Sequence, residues 1–234
     1  MSKFKMLSLV ALILAAAGGV YWYTDKTIQP QSGREMVALG DSLTYGVGDQ
    51  TGQGYADELE ERLNETQSSP LTVYNYGIPG QQTDGLLQQL QDEDVKKTLK
   101  HAEYFTIFIG TNDLIKTNGG DLNPLYEDRI EAGKADYRKN VEKILSMIRA
   151  ENPDAPILFL GLFNPYPESE EIQQVITEWN GLTQELLADD ERVKFIATDG
   201  LLKEKSTDYF SDALHPNSKG YELITDEIIR EYDF

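Results

Sequence analysis

The sequence contains no cysteine. That excludes thiol catalysis, cysteine-ligated zinc, disulfides and cysteine lipidation, so stability has to come from packing. Histidine is nearly as scarce, with only His101 and His215 available as imidazole bases or ligands. Basic residues number 21 against 40 acidic ones, a formal charge of −19 over 234 residues. A phosphate-rich partner would be repelled over most of such a surface, so nucleic-acid binding is not expected. Phosphate loops are missing too. The glycines from Gly46 to Gly54 lack a Gly-Lys-Ser/Thr ending and do not form Gly-x-Gly-x-x-Gly directly after a strand. No cofactor or metal is called for, and no obligate protein partner is evident.

Long apolar runs are rare, and one stands out. Lys3 and Lys5 precede an uncharged stretch from Met6 to Tyr23, which as a helix would extend about 27 Å against a hydrocarbon core of about 30 Å. The lysines would stay on the cytoplasmic side, with Tyr21-Trp22-Tyr23 at the far interface. Two outcomes fit: residues 1–23 remain as a signal anchor, or they are removed as a signal peptide at the small residues Ala15-Ala16-Ala17. Either expectation puts the remainder outside the cytoplasm, membrane-anchored or secreted, where the lack of a free thiol is sensible. Residues 24–34, with Pro30 and Gly33, read as a tether, and residues 35–234 as one domain.

Within that domain the order strand, loop, helix repeats. Apolar runs at Val37–Gly40, Leu71–Asn75, Tyr104–Ile109, Ile157–Leu162 and Val193–Ile196 predict five strands. Helical periodicity marks 55–63, 81–90, 92–100, 128–151, 172–187 and 218–229, whereas Lys116 to Pro124 reads as a loop. The pattern predicts a three-layer α/β domain with its strand carboxyl ends, and their glycine-rich loops, along one edge.

Four stretches fall at such ends or before the last helix: Gly40-Asp41-Ser42, Gly77-Ile78-Pro79-Gly80, Gly110-Thr111-Asn112-Asp113 and Asp212-Ala213-Leu214-His215. Ser42 is a weak nucleophile unless its proton is removed during attack, and an imidazole titrating near neutrality is the natural base. His215 fits that part; His101, ending a charged helix before a buried strand, reads as exposed or capping. Asp212, one turn before His215, can accept the imidazole N–H and fix its tautomer. The backbone N–H groups of Ser42 and Gly80 and the Asn112 amide can face a developing oxyanion. Each residue also has a structural reading: Asp41 or Ser42 as helix cap, Gly80 and Asn112 as turn residues, Asp212 as turn cap.

Together these blocks, with Gly40-Asp41-Ser42-Leu43-Thr44-Tyr45-Gly46 first, Asn75 through Gly80 second and Asp212-Ala213-Leu214-His215-Pro216 last, resemble the four ordered signature blocks of the GDSL, or SGNH, lipases and esterases. The resemblance runs from about Val37 to the C-terminus. It implies a flavodoxin-like three-layer domain with a five-stranded parallel sheet. It also implies a catalytic triad of Ser42, Asp212 and His215 and an oxyanion hole of Ser42, Gly80 and Asn112, with Gly77 a competing match for Gly80. The implied activity is hydrolysis of carboxylic esters, with a small-molecule, lipid or acylated-glycan substrate. The alternative is deacetylation of O-acetylated cell-wall or extracellular polysaccharide. A catalytically silent extracellular binding protein would keep this fold without needing all the reacting groups. Tyr45, Phe163 and Tyr166 are candidate walls for the substrate, and Asp41 and Asp113 candidate loop-orienting carboxylates.

Overall fold

The computed structural model describes residues 33–204 and 206–234; the expected export segment, and the tether as far as residue 32, lie outside the described residues. No helix among the described residues is long and apolar enough to cross a membrane.

Five strands form: β1 (Arg34–Gly40), β2 (Leu71–Gly77), β3 (Tyr104–Phe108), β4 (Ile157–Leu160) and β5 (Val193–Ile196). All pair in parallel, in the order β2-β1-β3-β4-β5. The central strands are apolar at successive positions because helices cover both faces. Val37, Leu39, Phe105, Ile107, Ile157 and Phe159 project into one layer. Met36, Ala38, Phe108, Leu158, Leu160 and Ile196 project into the other. Burying such a side chain fully contributes about 1.5–3 kcal/mol.

The first layer is closed by helices Thr83–Gln89, Glu93–His101, Glu127–Glu151 and Glu170–Leu187. Tyr137, Val141, Ile144 and Ile148 form the buried stripe of the longest, facing Trp179 of its neighbour. Helices Gly54–Thr66 and Ser218–Glu231 close the second layer, where Tyr55, Leu59 and Leu63 meet Tyr221, Ile224 and Ile228. Beyond β1 the chain goes to β2 on one side, and beyond β2 it returns to β3 on the other. The strand order therefore reverses between β1 and β3, where open parallel sheets leave a crevice at their carboxyl ends.

At the opposite, amino edge, the first and last described elements meet. The Arg34 guanidinium lies over the Tyr104 ring, 4.9 Å from its centroid, and bonds the Tyr104 hydroxyl and the Gln67 side chain. Tyr104, Tyr232 and Phe234 stack edge to face, and Gln67 donates to the Phe234 carbonyl at 3.1 Å.

Several boundaries differ from the sequence expectation, for physical reasons. Strand β4 stops at Leu160 because the buried Asn180 side chain takes both backbone groups of Leu162, at 2.7 and 2.8 Å. The helix expected from Gln81 begins at Thr83, whose N–H and hydroxyl are held by the Asp113 carboxylate. Lys116 to Asn118 are helical, not loop: helix Thr111–Asn118 carries Asp113 in its first turn, favourable to its dipole, and stops at Gly119.

Candidate active site

Ser42 opens a single helical turn, Ser42–Tyr45, at the carboxyl end of β1. Asp41 causes the turn: its carboxylate accepts the Leu43 N–H at 2.9 Å and caps it. Apolar Leu43 then packs into the second core layer, which keeps Ser42 largely buried.

The last strand-to-helix connection comes back to this turn. His215 Nε2 lies 3.0 Å from Ser42 Oγ, bridging 173 positions of sequence. Its Nδ1 lies 2.7 Å from Asp212 Oδ2, and Asp212 Oδ1 accepts the N–H groups of Leu214 and His215, both at 2.7 Å. One oxygen of the carboxylate shapes the loop and the other aims the ring. With Nδ1–H donated to the carboxylate, Nε2 is left to accept from the serine hydroxyl. Partial burial works against the Asp212 charge, but those hydrogen bonds and the imidazole hold its pKa below the ordinary carboxylate value.

Across the β1/β3 crevice, the Asn112 amide donates at 3.1 Å to Asp41 Oδ2 and at 3.1 Å to the Gln81 carbonyl. Both of its N–H groups are thus engaged, tying the serine turn, the turn after β2 and the helix after β3 into one network. Asp41 is almost fully enclosed, and that burial pushes its pKa up to about 7, aided by the charge of Asp113 and opposed by the Leu43 and Asn112 hydrogen bonds. Asp113, also buried, is raised by the same cause and holds Thr83.

Pro79 and Gly80 occupy the centre of a turn closed by Gln81 N–H to Ile78 O at 3.0 Å. The φ of +78° at Gly80 is the left-handed value that a type II turn requires there. Gly77 is a glycine for a different reason: a Cβ would sit 2.3 Å from the Tyr45 nitrogen. Its own N–H is donated to Asn75 Oδ1 at 2.9 Å. Lys116 Nζ donates to the Gly80 carbonyl at 3.0 Å.

All five sequence-predicted site residues, Ser42, Gly80, Asn112, Asp212 and His215, therefore lie in or beside one hydrogen-bonded cluster. His101 ends helix Glu93–His101 just ahead of the amino end of β3, on the other edge of the sheet. Of the candidate walls, Tyr45 is exposed beside Ser42. Phe163 is not a wall but core, packed between Phe108 and Phe210 because β4 ends early and turns it inward. Tyr166 lines a separate cleft of about 580 Å³ with Leu122, Pro124, Leu125 and Ile172. Gln81 and Lys116 went unread in the sequence; a lone amide and a lone lysine near turns carry no signal until the turns are brought together. Among the described residues no group of three or more His, Asp or Glu side chains is arranged to hold a metal ion. The arrangement can pass a serine proton to an imidazole whose other nitrogen is braced by a carboxylate, beside a cluster of backbone and amide donors.

Comparison with known proteins agrees with this geometry. Residues 38–223 match the model of the GDSL-like lipase/acylhydrolase family. The chain is 31% identical over 238 residues to the uncharacterized protein YpmR of Bacillus subtilis (strain 168), covering 96% of this chain and 93% of that one. It is 26% identical over 201 residues to the spore germination lipase LipC of Bacillus licheniformis, covering 83% and 94%. Among solved structures, the lipase Lip_vut3 from a goat rumen metagenome superimposes with a TM-score of 0.76 at 25% identity, covering 84% of this chain and 96% of that one.

Proposed function

We propose, on the premise that this chain belongs to the GDSL-like lipase/acylhydrolase family, that it hydrolyses carboxylic esters through an acyl-enzyme on Ser42. The observation that carries this reading is the continuous relay from Ser42 Oγ to His215 Nε2 at 3.0 Å and from Nδ1 to Asp212 at 2.7 Å. Ser42 Oγ attacks the ester carbonyl while His215 takes its proton. The tetrahedral oxyanion is met by the Ser42 and Gly80 N–H groups and the Asn112 amide, which exchanges its bond to the Gln81 carbonyl for one to the substrate oxygen. His215 protonates the departing alcohol, then draws a proton from water as that water attacks the acyl carbon, and returns the proton to Ser42 Oγ as the carboxylic acid leaves.

The substrate is a neutral or cationic ester, because a chain of formal charge −19 disfavours strongly anionic polymers. Lipid and O-acetylated glycan esters need the same reacting groups, so acyl-chain length is the property to vary. Wild-type protein is expected to release p-nitrophenol from p-nitrophenyl acetate but not from p-nitrophenyl glycosides. Ser42→Ala should lose this turnover while keeping the fold; an undiminished rate in that variant sinks the mechanism. A panel from acetyl to long acyl chains, run beside an O-acetylated glycan, separates a lipase from a polysaccharide deacetylase.

The lysine-flanked apolar run from Met6 to Tyr23 supports an extracytoplasmic location for the domain. Fractionation of the full chain with intact-mass measurement distinguishes an anchored form from one that starts near Gly18.

A further inference from the structure

The chain between the two halves of the relay raises a question that the relay does not answer: what fixes the Ser42–His215 distance. The loop Gly46–Gln53 touches both sides. At its start the N–H groups of Gly46 and Val47 donate to the Ser42 carbonyl, at 3.1 and 2.9 Å. Two residues on, Gly48 lies flat against the histidine loop. A Cβ there would sit 2.3 Å from the Pro216 carbonyl, 2.4 Å from Ser211 Oγ and 2.9 Å from His215 Cβ, and its φ is +97°. The same loop is stitched to the helix that follows His215: Tyr221 donates its hydroxyl to the Val47 carbonyl at 2.7 Å, and Ser218 Oγ donates to Asp49 at 2.9 Å. Asp49 also accepts from Thr51 and from the Gly54 N–H, which holds the loop closed.

We infer that the loop Gly46–Gln53 is a rigid spacer that sets the reach of His215 to Ser42, with Gly48 as its positioning residue and the Asp49–Ser218 bond as its clasp. This rests on the ester-hydrolase reading and adds how the base is held. None of these residues touches the reacting atoms; they act by keeping the imidazole within proton-transfer distance. An added methyl at Gly48 has no room on the side of His215, so the histidine loop must move away from the serine turn. A displacement of about 1 Å costs roughly 10²-fold in rate.

The test is steady-state kinetics of the full chain on p-nitrophenyl acetate, with the rate of Ser42 labelling by a fluorophosphonate and the melting temperature measured alongside. Gly48→Ala is expected to lower kcat and the labelling rate by about 10²-fold with KM nearly unchanged, the signature of a lost transition-state arrangement. Ser218→Ala opens the clasp without straining the backbone and should lower kcat roughly 5-fold, about the worth of one hydrogen bond; Ser218→Thr, which keeps the hydroxyl, should restore it. Folded Gly48→Ala with wild-type kcat overturns the inference. So does a Ser218 pair in which alanine and threonine behave alike, and this arm decides the matter if Gly48→Ala does not fold. Wild-type protein without Ser42-dependent activity would instead remove the hydrolase reading itself.

Discussion

The two halves of the relay are built in opposite ways. The serine turn is sunk into the core at the end of β1: Asp41, Ser42 and Thr44 are 1%, 6% and 0% exposed, and Leu43 is core. Asp212 and His215 hang on a surface loop, where the Asp212 side chain is 52% exposed. The same residue type consequently behaves differently on the two sides. Burial pushes the Asp41 pKa up to about 7, whereas hydrogen bonds hold that of Asp212 below its ordinary value despite partial burial. An aspartate that resists charge serves as scaffold, and one that keeps its charge can steady an imidazolium. Ser42 is placed by packing together with the buried Asp41 cap, and His215 by the polar bonds of an exposed loop.

From that contrast, the largest effect is expected on the exposed side. Asp212→Asn keeps the shape of the loop but can present an amide N–H to Nδ1, favouring the wrong tautomer. Turnover should fall by roughly 10³ to 10⁴-fold, with little change in melting temperature. A loss of less than about tenfold in kcat would mean that solvent orients the ring well enough without the carboxylate.

On the crevice side, Asn112→Ala removes the amide proposed to meet the oxyanion, together with its bond to Asp41. The expected cost is about 10² to 10³-fold in kcat. A wild-type rate in this variant would leave the amide purely structural, bracing the Gln81 turn.

The smallest effect on rate and the clearest on stability should come from the buried aspartate. Folded Asp41 holds its proton up to about pH 7, whereas the unfolded chain releases it near the ordinary value of 3.8. Its contribution is therefore complete below that ordinary value and is lost as pH rises through about 7, on the order of 4 kcal/mol in all. Asp41→Asn cannot ionise and still caps Leu43, so its unfolding free energy should vary less between pH 4 and 8 than that of the wild type. Denaturant melts of both proteins across that range decide it, and parallel curves would contradict the burial argument. The raised Asp113 will leave some dependence of the same sign in both.

How much of this was legible depends on whether the cause is local. Runs such as Tyr104 to Phe108 announce themselves because doubly covered strands are apolar at nearly every position. The gathering of Ser42, Gly80, Asn112, Asp212 and His215 could be read because each sits in a short block at a strand end or just before the last helix. What escaped were effects supplied by distant chain. Asn180 ends β4 from a helix, and Asp113 moves a helix start by two residues from the first turn of another helix. Phe163 looks like a loop aromatic until Phe108 and Phe210 enclose it. The engagement of both Asn112 N–H groups likewise depends on two other turns.

The aromatic lock at the amino edge has a practical corollary. Arg34 and Phe234 share neighbours in Tyr104 and Gln67, at the end of the sheet away from the serine. Anything joined at either terminus of the domain, whether a support, a surface or a second protein, grips it from behind. The face that carries Ser42 and His215 then looks outward, toward solution or an opposing surface.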